Sequence, residues 1–219
     1  MLTTKQLIYL TIAFVLVCLA SISFIDQPLT LFISKQLVFL QSAFSTLTTY
    51  TDLLTGYTFS KYLFGAIVLL GGIVMFAIDK HFWRAKYFFF VSLTELSSRF
   101  VVGMLKNVFE RERPAHFLET GQAGQTFWIA GGDSFPSGHT GRYFGIFLPL
   151  MVLFPKYKLV LVIVPLYILL ARLITTVHYL SDVLTSVYLV IVITSLYGYL
   201  LKIVPLGTSP KIDSSDTPG

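Results

Sequence analysis

The chain has 219 residues, 55% hydrophobic and only 12% charged, with a mean hydropathy of +0.76. So few charges cannot cover a globular surface, which excludes a soluble domain and implies a polytopic membrane protein of about six spans with no large extramembrane domain. The net charge of +5 is therefore read through membrane topology and not as a nucleic-acid signal.

Leu7 to Ile25 is uncharged and of spanning length, preceded by Lys5. Ala20-Ser21 would suit signal-peptide cleavage, but the run is long for that, and an uncleaved anchor is expected. Cys18, the single cysteine, lies inside this run and excludes an intrachain disulfide. Asp26 to Lys61 mixes Pro28, Lys35, Asp52 and Gly56 with Leu31, Phe32, Leu37, Phe39, Leu40, Phe44 and Leu47, the composition of a helix lying in the interface. Tyr62 to Ile78 is the second expected span, and Asp79 to Lys86 a tight charged turn. Tyr87 to Leu105 is the third, carrying Glu95 and Arg99, followed by a polar loop from Lys106 to Ser134. Pro136 to Phe154, Leu159 to about Val177, and Val183 to Leu201 are the remaining spans, and 207–219 is a polar tail expected to be disordered. The expected fold is all-α: six transmembrane helices with an interfacial helix after the first, one membrane domain over 1–206.

With that layout both termini share one side. It carries Lys5, Lys80, Arg84, Lys86, Lys156, Lys158, Lys202 and Lys211, which makes it cytoplasmic by the positive-inside rule. The opposite side carries Lys35, Lys61, Lys106, Arg111, Arg113, Arg142 and Arg172. Basic residues concentrated where they are normally avoided point to anion binding.

Three segments reach that face. Lys106-Asn-Val-Phe-Glu-Arg-Glu-Arg113-Pro114 offers an ammonium and a planar fork, suited to a phosphate's charge and its bidentate edge. A basic patch held on anionic lipid is the bland reading, weakened by the interleaved Glu110 and Glu112. Phe135-Pro136-Ser137-Gly138-His139-Thr140 opens a span: Pro136 at the first helical position would leave the amides of Ser137, Gly138 and His139 free, an anion site at a helix N-terminus. Alone, it reads better as a plain helix start with an interfacial His. Arg172-Leu-Ile-Thr-Thr-Val-His178-Tyr-Leu-Ser-Asp182 lies between two uncharged runs. On a helix, His178 and Asp182 would share a face, so the carboxylate could accept from one ring nitrogen and leave the other as a base or nucleophile. Arg172 would lie on another face, so a turn between Arg172 and His178 is expected. The rival reading is a snorkelling Arg and a capping Asp, with His178 incidental. Two His, an orienting Asp, three cations and a helix N-terminus are what in-line phosphoryl transfer through a phosphohistidine requires.

Lys106 with Arg113-Pro114, Pro136-Ser137-Gly138-His139, and Arg172 with His178 and Asp182 resemble the three-part signature of the type 2 phosphatidic acid phosphatase (PAP2) family, which shares its site with vanadium haloperoxidases and bacterial acid phosphatases. The likeness covers about 106–183. Ala171 departs from it, standing where the pattern has Ser. The resemblance implies His178 as nucleophile, Asp182 holding its tautomer, and His139 protonating the leaving oxygen and then activating water. Lys106, Arg113 and Arg172, with backbone N–H groups at Ser137 and Gly138, would hold the phosphoryl oxygens, with no metal or other cofactor. The implied activity is a lipid phosphate phosphatase of the inner (cytoplasmic) membrane, its site facing the periplasm or outside. Its substrate would be undecaprenyl pyrophosphate, phosphatidylglycerophosphate, phosphatidic acid or a lipid A phosphate. The bilayer and that lipid are the partners expected; no nucleic acid or obligatory protein partner is.

Three rivals stay open on the sequence: a lipid phosphotransferase using the same residues, a non-enzymatic anion transporter or lipid-binding protein, and a metal site of His139, His178, Asp182 and Asp133. Three nearby cations weigh against the last. Glu95, Arg99 and Lys106 fall on one face of the third span, with an intramembrane Glu95–Arg99 pair behind the site. Arg142 is expected to mark the interface, and Trp128 with Phe127 to anchor a loop at the lipid surface, as Trp83 would on the other side. Asp52, Tyr57 and Lys61 are candidates for a substrate entrance. His81 and His116 are expected to be loop histidines without a role.

Overall fold

The computed structural model describes residues 3–80, 82–121 and 128–206. Phe127, His81 and the expected disordered tail at 207–219 lie outside the described residues. The described secondary structure is all helical: α1 (Thr4–Ala20), α2 (Asp26–Gln36), α3 (Val38–Leu54), α4 (Leu63–Asp79), α5 (Phe82–Phe109), α6 (Pro114–Thr120), α7 (Gly138–Leu153), α8 (Lys158–Leu161), α9 (Ile163–Ile174) and α10 (Leu180–Leu200).

Thr3 and Gln6 form a reciprocal capping box at the start of α1, with Gln6 N donating to Thr3 Oγ1 at 3.3 Å and Thr3 N to Gln6 Oε1 at 2.8 Å. The helix does not end where the apolar run ends. A π turn at Ser21–Ile25 carries it into α2, so Thr4–Gln36 is one 33-residue stretch. The wider turn shifts the register of α2 relative to α1, and Ser21 and Asp26 both lie buried. The single interfacial helix expected after the first span is thus corrected to two helices, α2 continuing α1 and α3 beginning after a break at Leu37. Helix α3 packs on α9, where Tyr167 stacks on Phe44 and its hydroxyl donates to Phe44 O at 3.0 Å.

Helices α5, α7 and α10 form the centre, with α4 against α5, α9 against α7 and α1 against α10. Glycine lets α4 approach α5 closely: a Cβ at Gly72 would lie 2.9 Å from Phe89 Cε1. Phe90, Val91, Leu153 and Ile203 fill one end of the bundle, and Ile33, Leu173 and Val183 pack beneath the other. On the outside, Ile67, Leu70, Phe100, Leu159 and Leu196 are exposed, an apolar surface of the kind lipid covers. Thr4–Gln36, Phe82–Thr120, Pro155–Ile174 and Leu180–Leu200 are long and apolar enough to cross a membrane. The apolar helix Leu63–Ile78 is shorter, as is α7 at 16 residues.

The segment after α5 is fastened back on itself. Ile129 N donates to Phe109 O, Ala130 N and Gly132 N to Glu110 O, and Ser134 N to Arg111 O, at 2.9–3.0 Å. A Cβ at Gly132 would collide with Arg111 O, so only glycine permits this approach. Residues 128–134 thereby sit over the end of α5 and bring Asp133 and Ser134 to the start of α10.

Candidate active site

The expected turn between Arg172 and His178 is present. Helix α9 stops at Ile174, Thr176 takes a left-handed φ of 50°, and the amides of Val177 and His178 both reach Arg172 O at 3.3 Å. His178 precedes α10 and is not itself helical. Asp182, in the first turn, accepts from Tyr179 N at 2.8 Å and caps the helix. The same carboxylate oxygen lies 3.5 Å from His178 Nδ1 and accepts from Ser134 Oγ at 2.5 Å. Capping, which the sequence set against an orienting contact, is present, and the capping carboxylate also faces the His178 ring. Ser134 Oγ also stands 3.5 Å from His178 Nδ1. Both contacts to the ring are at the long limit of a hydrogen bond, as is common before a substrate tightens a site. The burial of His178 pushes its imidazole pKa down to about 4, so the ring is neutral near pH 7 and its Nε2 carries a lone pair when Nδ1 holds the proton.

A cavity of about 290 Å³ collects side chains from all three suspected segments: Lys106 and Arg113, Gly138 and His139, Arg172 and His178. Tyr57, Lys61, Arg99 and Asp133 are also in its wall. A Cβ on Gly138 would meet only Lys106 Cε, at 3.8 Å, so the missing side chain leaves its volume to the cavity.

Ser137 does not take the place expected of it. Its amide donates to Asp182 O at 3.1 Å, its hydroxyl accepts from Thr140 Oγ1 at 3.0 Å, and its carbonyl accepts from Ser186 Oγ at 2.8 Å. It is the buried N-cap of α7, tying that helix to α10, and its N–H is not available to a phosphoryl oxygen. Pro136 accordingly stands one residue before the cap and not at the first helical position. The amides of Gly138 and His139 begin the helix, where no intrahelical acceptor exists.

Several carboxylates hold this arrangement through partners that the sequence did not indicate. Arg111 donates to Asp182 Oδ1 and Ser181 Oγ with one nitrogen, and to Asp26 Oδ2 at 2.7 Å with the other. Asp26 also accepts from Ser181 N at 3.0 Å and from its hydroxyl. The Arg111 guanidinium lies 4.3 Å from the Tyr179 ring centroid and 4.9 Å from that of Trp128. Trp128, expected to anchor its loop at the lipid surface, packs against Phe109, Phe135 and Arg111. Asp133 holds Arg113 through both carboxylate oxygens, at 2.6 and 2.9 Å, and its carbonyl accepts from Lys106 Nζ. The Arg113 hydrogen bonds keep the Asp133 carboxyl down at about 2. Asp133 is thus bound to the cations rather than grouped with His139, His178 and Asp182 as a metal ligand; among the described residues no three His, Cys, Asp or Glu gather that way.

His139 has its own carboxylate. Its Nε2 lies 3.0 Å from Asp52 Oδ2, and Tyr143 Oη donates to Asp52 Oδ1 at 2.8 Å. Burial opposes the Asp52 charge, but these hydrogen bonds keep its carboxyl below the usual range. Tyr57 meets the His139 ring edge-on at 4.8 Å. Beneath lie Glu95 and Arg99, 3.9 Å apart, in the buried pairing expected. Arg142, expected at the interface, is fully buried, donates to Thr55 O at 2.8 Å and covers the Tyr57 face at 4.5 Å. Asp26 belongs to no local spacing and carries no signal in the sequence, and Asp52, a candidate for the substrate entrance, is not marked there as the partner of His139. Arg111 sits two before Arg113, and a basic residue that close to the signature was the one hint.

Known proteins resemble the chain over the segment that carries most of these residues. The PAP2 superfamily model matches residues 87–202. The chain is 28% identical over 134 residues to a lipid A 1-phosphatase of Rhizobium etli, covering 57% of this chain and 56% of the relative. It is 28% identical over 138 residues to a lipid A 1-phosphatase of Rhizobium johnstonii, covering 57% and 54%. The chain thus spans a little over half the length of these curated relatives. No solved structure matches it significantly. With more than half of its length matched, and the matched segment carrying the cavity's Lys106, Arg113, His139, Arg172 and His178, the chain belongs to the PAP2 superfamily.

Proposed function

We propose that the protein is a lipid phosphate phosphatase working through a phosphohistidine on His178, without a metal. The observation that carries this reading is the convergence of Lys106, Arg113, His139, Arg172 and His178 on one cavity. Lys106, Arg113, Arg172 and the first-turn amide of Gly138 hold the phosphoryl oxygens and offset the charge gathered in the transition state. His178 Nε2 attacks phosphorus while Asp182 keeps the proton on Nδ1. His139 gives a proton to the leaving oxygen, then takes one from the water that cleaves the phosphoenzyme. Fixed cations supply the electrostatic role a divalent ion would otherwise fill.

The site is assigned to the extracytoplasmic face of the cytoplasmic membrane, because Lys5, Lys80, Arg84, Lys86, Lys156, Lys158 and Lys202 then fall inside. Helices α4 and α7, with 17 and 16 residues, complete six spans near the lower limit of about 17 residues. The substrate is an amphiphile whose phosphate lies at head-group depth, and the names of the relatives put a lipid A 1-phosphate first among the candidates.

The test is phosphate release in detergent from lipid A, phosphatidic acid, phosphatidylglycerophosphate and undecaprenyl pyrophosphate, for wild type, H178A and H139A, with and without EDTA. Release by the wild type that survives EDTA and falls by about 100-fold or more in both variants is expected. Equal release by H178A overturns the covalent step. Release only when a second lipid is added marks a phosphotransferase instead, and loss in EDTA restored by added metal revives the metal reading.

A further inference from the structure

We propose that Asp52, on α3 and outside the segment matched by the family, is the positioning residue of His139, giving the site a second His–carboxylate pair beside His178–Asp182. The proposal rests on the acid–base role given to His139. One carboxylate oxygen faces His139 Nε2 at 3.0 Å, and the other is fixed by Tyr143 Oη at 2.8 Å, itself 3.1 Å from Thr55 Oγ1. The carboxylate is therefore held from both sides, by the ring nitrogen on one oxygen and the tyrosine hydroxyl on the other. Tyr57 closes the ring's edge, and Arg99 and Arg172 share the cavity wall with it. An imidazolium formed beside two guanidinium groups is disfavoured unless an anion adjoins it. Asp52 is the carboxylate in contact with the ring.

The contact also selects the working nitrogen. With Nε2–H committed to Asp52, the neutral ring has its lone pair on Nδ1, and the charged ring offers its second proton there. During phosphorylation the His178 Nε2 pair forms the P–N bond and the P–O bond to the leaving group breaks. The Nδ1 proton of His139 passes to that departing oxygen. During hydrolysis Nδ1 takes a proton from water, the water oxygen bonds to phosphorus, and the P–N pair returns to His178.

The experiment is a double-mutant cycle on full-length protein in detergent, with dioctanoyl phosphatidic acid as probe and D52N, H139A and the double variant compared with wild type. D52N is expected to lose about 100-fold in kcat with KM within about threefold. The double variant should be no more than about twofold slower than H139A, because both changes remove one acid–base unit. A purely structural role for Asp52 would instead multiply the two losses. Should D52N fail to fold, histidine 15N NMR of the wild type, with the His139 signal assigned by its absence in H139A, decides the matter through the tautomer. Protonation at Nε2 with a bare Nδ1 upholds the proposal, and the opposite tautomer overturns it. An H139A protein as fast as wild type would sink the acid–base role of His139 itself. An impaired H139A with D52N within threefold of wild type, or with multiplicative losses, would sink only the part given to Asp52.

Discussion

Replacing Arg111 by leucine tests whether the buried charge network behind His178 stabilises the protein through one cation. The change removes the partner of Asp26 at 2.7 Å and of Asp182, and both carboxylates are inaccessible to solvent. Breaking a buried pair from one side costs about 3–5 kcal/mol, because a charge is left without its counter-charge. Against a total stability of roughly 5–15 kcal/mol, that is a large fraction. For a chain of this size each kcal/mol moves Tm by about 2–4 °C, so R111L should melt about 6–20 °C below wild type in the same detergent. D26N should cost less, about 1–2 kcal/mol, since the amide keeps a carbonyl toward Arg111 and leaves Arg111 and Asp182 as a neutral pair. Turnover should also fall in R111L at temperatures where it stays folded, because Asp182 loses one of the groups fixing it. One hydrogen bond to a charged group is worth about 1–3 kcal/mol, or roughly 5- to 150-fold in rate. Thermal unfolding by intrinsic fluorescence and phosphate release on the same samples measure both. R111L melting within 2 °C of wild type, or D26N melting lower than R111L, would refute the reasoning.

The Asp133 carboxylate occupies Arg113, one of the cations that the substrate phosphate is proposed to meet, so D133N should bind inorganic vanadate about tenfold more tightly, the scale of one 1.4 kcal/mol interaction; unchanged inhibition would show that the carboxylate does not compete. Burial moves the His178 pKa from 6.5 to about 4, which a histidine ring titration by NMR should reproduce, and a midpoint near 6.5 would contradict it. Because the folded state favours the neutral ring, the stability this allows is fully present above pH 6.5 and is lost as pH falls toward 4. At the α4–α5 contact a valine at Gly72 would press on Phe89 and on Phe88 Cβ, 3.0 Å from an added Cβ; G72V should destabilise by about 1–3 kcal/mol, and a Tm equal to wild type would show that the helices part without cost.

What the sequence revealed and what it concealed differ in a physical way. Lys106, Arg113, Gly138, His139, Arg172 and His178 were legible because each sits in a short run whose neighbours fix its local geometry: a helix end, a helix start, a turn between apolar runs. The apolar runs themselves marked the long helices α4, α5, α7, α9 and α10 to within about five residues, while α6 lies in the expected polar loop and the first turn of α5 in the expected charged turn. Asp26 carries no signal in the sequence, and Asp52 and Asp133 read there as an entrance residue and a metal ligand, because each meets its actual partner through packing across distant parts of the chain. Asp26 owes its inward direction to the π turn at Ser21–Ile25, a register change that no apolar periodicity announces. Ser137 departs from its expected place for the same reason: its amide would be free on an isolated helix, and the Asp182 carbonyl 3.1 Å away takes it.

These hidden partners share a sign. The signature segments bring cations and imidazoles, and the carboxylates that hold them come largely from elsewhere: Asp26 for Arg111, Asp52 for His139, Asp133 for Arg113. A cluster of cations at a membrane boundary repels itself while no substrate is bound, and fixed carboxylates relieve that repulsion and set where each cation points. Two of the three, Asp26 and Asp52, lie outside the family-matched segment. The N-terminal helices are therefore part of the electrostatic frame of the site, and a chain cut before α4 would leave Arg111 and His139 each short of a carboxylate.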